Sequence, residues 1–148
     1  MSPARRIALA TLVAGTLDIG FAAIGTLAAG KPVARMLRGV ASGPFPAATD
    51  WGPGGAALGL AVHFAIMAVM AAAFVLAHDR IRLVRAHVLV AAALYGVLLW
   101  LVMYGIVLPA RFGAHFPSPN PIEIAKQLFA HVVLVGLTIG LIARRAGV

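Results

Sequence analysis

The chain has 148 residues, of which 62% are hydrophobic and 11% are charged, against about 25% charged residues in soluble domains. The formal net charge of +8 does not indicate nucleic-acid binding, because the basic residues lie at the ends of apolar segments and not along one face. The absence of cysteine excludes disulfides, thiolate metal sites and cysteine nucleophiles.

Four apolar segments are long enough to cross a bilayer as helices. They cover residues 7–29, 55–77, 83–108 and 122–143. A helix of about 20 residues, rising about 1.5 Å per residue, spans a hydrocarbon core of about 30 Å. The segments take up most of the chain and leave no room for a soluble domain. We therefore predict an all-α integral membrane protein, a single domain with four transmembrane helices in an antiparallel bundle.

The connection between the first two segments carries a further predicted helix, over residues 32–40. It begins with a proline, and its hydrophobic residues recur at helical spacing, at Val33, Met36, Leu37 and Val40. Basic residues between them are typical of a short amphipathic helix that lies in the membrane interface. A solvated loop is the alternative. In the turn-rich stretch that follows, we expect Trp51 near the lipid headgroups.

The basic residues flank the four segments unevenly. Seven lie on the side of the two termini and five on the opposite side. Because cytoplasmic loops carry the excess of Lys and Arg, both termini are predicted to be cytoplasmic. We expect a multi-pass protein of the bacterial inner (cytoplasmic) membrane. Its partners are the lipid bilayer and, beyond it, other membrane subunits or further copies of this chain, with no nucleic acid.

Each segment contributes one polar residue at a similar depth. Counted from the near end of each segment, Asp18 lies about 16 Å deep, His63 about 12 Å, Tyr95 about 18 Å and His131 about 14 Å. All four therefore fall near the middle of a core about 30 Å thick. An isolated carboxylate is costly in lipid, so Asp18 should face protein, water or a bound cation. We predict that it lies within direct or one-water hydrogen-bond reach of at least one of the other three.

Three interpretations of this polar layer stay open. In the first, Asp18, His63, Tyr95 and His131 bind a small ligand or relay protons in a non-enzymatic membrane or accessory protein, since histidine titrates near neutral pH. In the second, His63 and His131 are the axial ligands of a b-type haem in an electron-transfer protein. In the third, the polar side chains only join helices in a structural subunit of a larger membrane complex. Outside the haem interpretation the sequence indicates no cofactor.

The sequence favours a non-enzymatic protein. It contains no H-E-x-x-H, no G-x-S-x-G, no phosphate-binding glycine loop and no pair of catalytic carboxylates. Asp50, Asp79 and Glu123 lie in connections or at helix ends, where solvation or capping accounts for them. A zinc site would need a precise geometry of Asp18, His63 and His131 that their spacing does not establish. We therefore assign neither catalytic nor metal-binding residues.

Several short strings resemble those of small bacterial inner-membrane proteins of a YagU-like kind. They are Ala14-Gly15-Thr16-Leu17-Asp18-Ile19, Val40-Ala41-Ser42-Gly43, Ala57-Leu58-Gly59-Leu60-Ala61-Val62-His63-Phe64 and His131-Val132-Val133-Leu134-Val135-Gly136. The resemblance covers nearly the full length. It implies a bacterial four-helix membrane protein in which Asp18, His63 and His131 are candidate functional residues. It implies no particular activity. After Ser42-Gly43 this chain departs from the expected leucine-rich turn with Pro44-Phe45-Pro46-Ala47.

Overall fold

In the computed structural model, which describes residues 1–147, every regular element is a helix. In chain order these are α1 (Pro3–Ala28), α2 (Val33–Ala41), α3 (Gly52–Arg80), α4 (Arg82–Ala86), α5 (Val88–Phe112) and α6 (Pro121–Ala143), with 3-10 turns at Pro46–Asp50 and Arg144–Gly147. Four of them, α1, α3, α5 and α6, are long and apolar enough to cross a membrane. The prediction of an all-helical chain with four such helices is therefore confirmed.

The helix ends follow local sequence signals. The Asn120 side chain accepts a hydrogen bond from the backbone N–H of Ile122 at 3.0 Å, and Pro121 occupies the first helical position of α6. At the end of α5, Gly113 adopts the left-handed conformation with φ of 65°. This conformation is costly for residues with a Cβ atom, so glycine is the usual residue after a helix end.

The third apolar segment differs from its predicted form. The prediction was one helix over residues 83–108, but the chain forms α4 first and starts α5 at Val88. The break lies at His87, whose φ of −124° and ψ of 46° are not helical. Neither glycine nor proline occurs between residues 81 and 87, so the sequence carries no signal for this bend. Every residue of α5 therefore lies closer to the helix start than the count from residue 83 implied.

The short helix α2 packs across the first part of α3. A Cβ atom at Gly59 would collide with the backbone of Leu37, so the glycine permits direct backbone contact between the two helices. The hydrophobic face predicted for this helix is half-buried at all of its positions, which are Val33, Met36, Leu37 and Val40, whereas Arg35 is exposed. From the end of α5, Arg111 donates to the carbonyl oxygens of Gly43 and Ser42, at 2.8 Å each.

The buried hydrophobic core occupies one end of the molecule. Its residues come from all four long helices and are Ala10, Ala14, Met67, Ala71, Phe74, Val75, Ala92, Leu99, Val135, Ile139, Ile142 and Ala143. They precede Asp18 in α1, follow His63 in α3 and follow His131 in α6. These residues pack on one another. We call this end of the molecule the Arg6 end, after the arginine near the start of α1. The opposite end is the Glu123 end.

Glycines set the close contact between α5 and α6. A Cβ atom at Gly96 would collide with the carbonyl oxygen of His131, and one at Gly136 would collide with that of Ala92. Both helices also contain a π-helical stretch, Met103–Val107 in α5 and Phe129–Leu137 in α6. Such stretches are rare and interrupt the regular i→i+4 hydrogen bonding, often at functional positions.

Candidate functional site

Asp18 and His63 lie side by side between α1 and α3. The Nδ1 atom of His63 is 4.0 Å from Oδ2 of Asp18. This separation exceeds a direct hydrogen bond, and a small side-chain rotation would close it. The carboxylate is half-buried and receives no hydrogen bond from the residues that the structure describes. The side chain of His63 is buried.

The other nitrogen of His63 fixes the tautomer of the ring. Nε2 lies 2.9 Å from the carbonyl oxygen of Gly15. A carbonyl oxygen only accepts hydrogen bonds, so Nε2 carries a hydrogen and donates it. In the neutral ring, Nδ1 is then the unprotonated nitrogen, and it is this atom that faces Asp18. The backbone of α1 therefore orients the basic nitrogen of His63 toward the carboxylate three residues further along the same helix.

Close packing explains why α1 approaches His63 at this level. A Cβ atom at Gly15 would lie only 2.6 Å from the ring of Phe64, so a larger residue could not occupy this position without displacing the ring. The Phe64 ring in turn meets the His63 ring edge-on, with centroids 5.3 Å apart. Gly15 thus both admits α3 and supplies the carbonyl that holds His63.

His131 reaches the same region from α6. Its Nδ1 donates to the carbonyl oxygen of Gln127 at 3.0 Å, which leaves Nε2 as the basic nitrogen. Asp18 is close enough to interact electrostatically with both His131 and His63. Three of the four residues predicted for the polar layer therefore share one region of the structure.

Tyr95, the fourth residue, is not part of this group. Its hydroxyl donates to the carbonyl oxygen of Met70 at 3.0 Å, and its ring packs against Phe74 with centroids 5.2 Å apart. Met70 follows His63 by seven residues, about 10 Å along α3. Within residues 1–147 no hydrogen bond or ion pair joins Tyr95 to Asp18 or to either histidine. The depth estimate ignored the direction of the side chain, and Tyr95 points into the core at the Arg6 end.

Tyr104 takes the place that the sequence analysis gave to Tyr95. Its ring meets the His131 ring edge-on at 5.6 Å between centroids, and its hydroxyl lies within electrostatic range of Asp18. Nine residues separate the two tyrosines, which in a regular helix puts them on opposite faces, since each residue turns the helix by about 100°. Gly96, which the structure places on the α5 face that contacts α6, lies about 80° from Tyr104 and about 100° from Tyr95 around a regular helix. The sequence alone therefore did not distinguish the two tyrosines.

We call Asp18, His63, Tyr104 and His131 the polar cluster. Each of the four long helices contributes one member. Tyr104 and His131 both lie within the π-helical stretches of their helices. Because π-helical residues turn less about the axis than α-helical ones, these stretches rotate side chains away from the positions that regular periodicity predicts.

Comparison of the chain with protein-family models, with curated proteins and with solved structures finds no match in any of the three. The polar cluster therefore has to be interpreted from its own chemistry. Among residues 1–147, no group of three or more histidine, cysteine, aspartate or glutamate side chains could hold a metal ion. Imidazole, carboxylate and phenol groups all bind and release protons, and the cluster brings two imidazoles, one carboxylate and one phenol into one region.

A second polar group, which the sequence analysis missed, lies at the Arg6 end. The two terminal nitrogens of Arg6 bind the two carboxylate oxygens of Asp79, at 2.8 and 2.5 Å, and one of them also donates to the carbonyl oxygen of Ala143 at 2.9 Å. Nδ1 of His78 lies 3.1 Å from the same carboxylate. Arg6 is 2% exposed, so this is a buried arginine joining α1, α3 and α6. Solvation or capping is therefore not the role of Asp79.

Proposed function

We propose that the protein is a multi-pass protein of the bacterial inner membrane, of the kind its short sequence strings resemble, with four antiparallel spans and an interfacial α2. The distribution of exposed residues supports this proposal. Val69 on α3 is 71% exposed and Ile24 on α1 is 69% exposed, whereas Arg6 and His63 are buried. Extended apolar surfaces promote aggregation in water but are the normal outer face of a membrane-embedded helix bundle.

The contacts between α1 and α3 support opposite directions for neighbouring spans. Arg6 near the start of α1 meets Asp79 near the end of α3, and Gly15 further along α1 meets His63 earlier in α3. With cytoplasmic termini, the Arg6 end faces the cytoplasm and the Glu123 end faces outward. Reporter fusions at the C-terminus and next to Asp50 test this topology. A cytoplasmic C-terminus and an external Asp50 are expected, and the reverse would overturn the orientation.

Within this membrane protein, we propose that the polar cluster is a non-enzymatic proton-binding site in which Asp18 and His63 exchange a proton. The observation that carries the proposal is the geometry of His63. Its Nε2–H is held by Gly15, and its basic Nδ1 lies 4.0 Å from the Asp18 carboxylate. A proton on Asp18 can move to Nδ1, which converts a neutral acid and a neutral imidazole into a carboxylate and an imidazolium.

The net charge of the pair is the same before and after this transfer. An isolated charge in a low-dielectric interior is strongly disfavoured, whereas a carboxylate paired with an imidazolium keeps the pair neutral overall. Transfer of the proton within the pair therefore leaves no isolated charge in the interior. His131 presents a second basic nitrogen of the same kind, because its Nδ1–H is also held by a backbone carbonyl.

Infrared difference spectroscopy during a pH titration tests the proposal on the purified protein in lipid nanodiscs. Protonated carboxylic acids have a carbonyl stretching band that carboxylates lack. A band from Asp18 should appear as the pH is lowered, and it should be absent in Asp18→Asn. Asp79→Asn is the matched control and should retain the band, because Asp79 is bound to Arg6 at the opposite side of the core.

His63→Gln gives a second measurement on the same sample. Without the imidazole the Asp18 band should shift in its pH midpoint, since the carboxylate loses its nearest cationic partner. A wild-type spectrum with no titrating band attributable to Asp18 would contradict the proposal. It would favour the third interpretation, in which the polar side chains only join helices in a structural subunit.

The haem alternative would require the ring nitrogens of His63 to make different contacts. Iron ligation through Nε2 of His63 would require this atom to release the Gly15 carbonyl, and ligation through Nδ1 would bring the iron against Asp18. The present arrangement therefore fits a bis-histidine haem less well than a proton-binding site. A visible absorption spectrum distinguishes the two. Low-spin haem bands that disappear in both His63→Ala and His131→Ala would replace the proton-binding proposal.

A further inference from the structure

At four-residue intervals along α6, polar side chains lie on only one side of His131; Thr138, further along the helix, donates its hydroxyl to the carbonyl oxygen of Val133. Toward the start of the helix, Gln127 and Glu123 precede His131 at four-residue intervals and share its face. In the other direction the same row continues with Val135 and Ile139, which are 2% and 0% exposed and belong to the hydrophobic core. The row is therefore polar from the Glu123 end up to the polar cluster and apolar beyond it.

Side chains of α5 accompany this polar row. The indole N–H of Trp100 donates to the side-chain oxygen of Gln127 at 3.1 Å. Tyr104 lies within electrostatic range of Asp18 and also of Glu123, and its ring contacts His131. Its phenol therefore interacts with both the half-buried carboxylate of the cluster and an exposed carboxylate at the surface. Glu123 pairs with Lys126 at 3.0 Å, and both side chains are about half exposed.

At the Arg6 end the structure is closed. Ala14, one turn before Asp18 in α1, is fully buried, and so are Ala71 and Val75 in α3. The buried Arg6 joins Asp79 to the last carbonyl of α6 beyond this core. A proton leaving Asp18 in this direction meets a layer of mainly alkyl and aromatic side chains. The hydroxyl of Tyr95 in this layer already donates to the carbonyl oxygen of Met70, and the buried hydroxyl of Thr11 has no hydrogen-bond partner among the described residues.

We infer that the polar cluster exchanges protons with the Glu123 end only, through Tyr104 and the row formed by His131, Gln127 and Glu123. The inference rests on the proposed function and adds the direction of access to it. The charged and titratable groups that face Asp18 are His63 from α3, His131 from α6 and Tyr104 from α5. Tyr104 is the member of this set that also interacts electrostatically with Glu123, so we place it on the path between the polar cluster and the Glu123 end.

A one-sided pH change tests the direction of access. The protein is reconstituted in sealed vesicles sorted for one orientation, and the Asp18 carboxylic acid band is followed after acidification of either the external or the internal solution. We expect the band to respond within the mixing time to acid at the Glu123 end, and only with the slow leak of protons across the bilayer to acid at the Arg6 end. Tyr104→Phe should slow the fast response severalfold.

The outcomes separate this inference from the function on which it rests. A band that titrates in nanodiscs but responds fastest to acid at the Arg6 end, or equally fast from both ends, would overturn the direction of access and leave the proton-binding site standing. A band that does not titrate in nanodiscs removes the proposed function itself. An unchanged rate in Tyr104→Phe would remove Tyr104 from the path.

Thiol accessibility gives an independent measurement, because the natural chain has no cysteine. Ala14 and Ala22 each lie four residues from Asp18 on the same face of α1, and Ala14 is buried whereas Ala22 is exposed. A membrane-impermeant thiol reagent should modify Ala22→Cys from the Glu123 end and Ala14→Cys from neither end. Modification of Ala14→Cys, or protection of Ala22→Cys from the Glu123 end, would contradict the inference.

Discussion

The two ends of the four-helix arrangement hold together by different means. At the Arg6 end, alkyl and aromatic side chains from all four long helices pack in one cluster, and Arg6 joins three of the helices through Asp79 and Ala143. At the Glu123 end each contact joins only two elements. These contacts include the backbone of α2 against Gly59, the Phe21 and Phe129 rings 5.5 Å apart, and the hydrogen bond from Trp100 to Gln127.

The polar cluster lies at the boundary between these two regions. A site that is surrounded by the core on every side would be stable but inaccessible, and a site at the surface would be fully solvated. Positions at the edge of a well-packed region combine a rigid support with nearby groups that open at low free-energy cost. The difference between the ends is therefore compatible with our proposal that a carboxylate held beside two histidines exchanges protons.

The largest expected effect is on side-chain packing. Phe74 is 3% exposed in the core, whereas Phe129 at the opposite end is 45% exposed. Phe74→Ala should lower the free energy of unfolding by about 3 kcal/mol, because it leaves a cavity and removes contacts with Tyr95. Phe129→Ala should cost about 1 kcal/mol or less, because fewer contacts are lost. Denaturant titration in bicelles measures both, and equal losses would show that the two ends are packed alike.

The next effect concerns the buried arginine. Asp79→Asn leaves the Arg6 guanidinium without its counter-charge and should cost about 2 kcal/mol. This expected loss in the free energy of unfolding is smaller than the loss on breaking a fully buried ion pair, because 26% of the Asp79 side chain is exposed. Asp50→Asn is the control, since Asp50 is exposed and should give no measurable change. Thermal unfolding in detergent reports both variants. An Asp79→Asn variant as stable as Asp50→Asn would mean that this pair does not hold the Arg6 end together.

A smaller effect is expected where backbones touch. In Gly96→Ala the new methyl group collides with the His131 carbonyl, so α5 and α6 must separate at a cost of about 1–2 kcal/mol. Gly25→Ala, at the open end of α1, meets no atom within 4 Å and should stabilise the helix by about 0.5 kcal/mol. The melting temperature should fall in Gly96→Ala and rise in Gly25→Ala. A fall in both variants would indicate that the Glu123 end of α1 packs against another group.

The smallest effect on stability is expected at the polar cluster itself. Asp18→Asn keeps the size of the side chain and removes its charge, and it should change the free energy of unfolding by less than about 1 kcal/mol. It should nevertheless abolish the carboxylic acid band. Asp18→Leu removes the charge and every hydrogen-bonding group of the side chain beside His63, so this variant should be less stable than Asp18→Asn. A large loss of stability in Asp18→Asn would assign the carboxylate a structural role.

The sequence predicted the number of long helices and most of their extent, because apolar segments of about 20 residues have few alternatives to a helix. It also predicted the start of α6 from Asn120 and Pro121, and a helix close to the position of α2. Depth counted along each segment brought Asp18, His63 and His131 to one level. That count is reliable because the rise per residue of a helix hardly varies.

What the sequence could not decide is the rotation of each helix about its own axis. Tyr95 and Tyr104 are both polar aromatic residues near the middle of α5, and only the packing of Gly96 against His131 determines which of them faces α6. The π-helical stretches alter this rotation further. Each contains a glycine, but glycines also occur in the regular parts of these helices, so they do not identify the stretches in the sequence.

Long-range pairing was the other property that only the tertiary structure decided. Arg6 and Asp79 are 73 residues apart, and each has an ordinary explanation by itself, as a basic flank and as a helix-end acid. The sequence by itself thus determined which segments become helices and how deep their polar residues lie, because hydrophobicity and helical rise are local properties. The faces that meet, and so the members of the polar cluster, depend on close contacts between distant segments, and these are set only when all four long helices pack together.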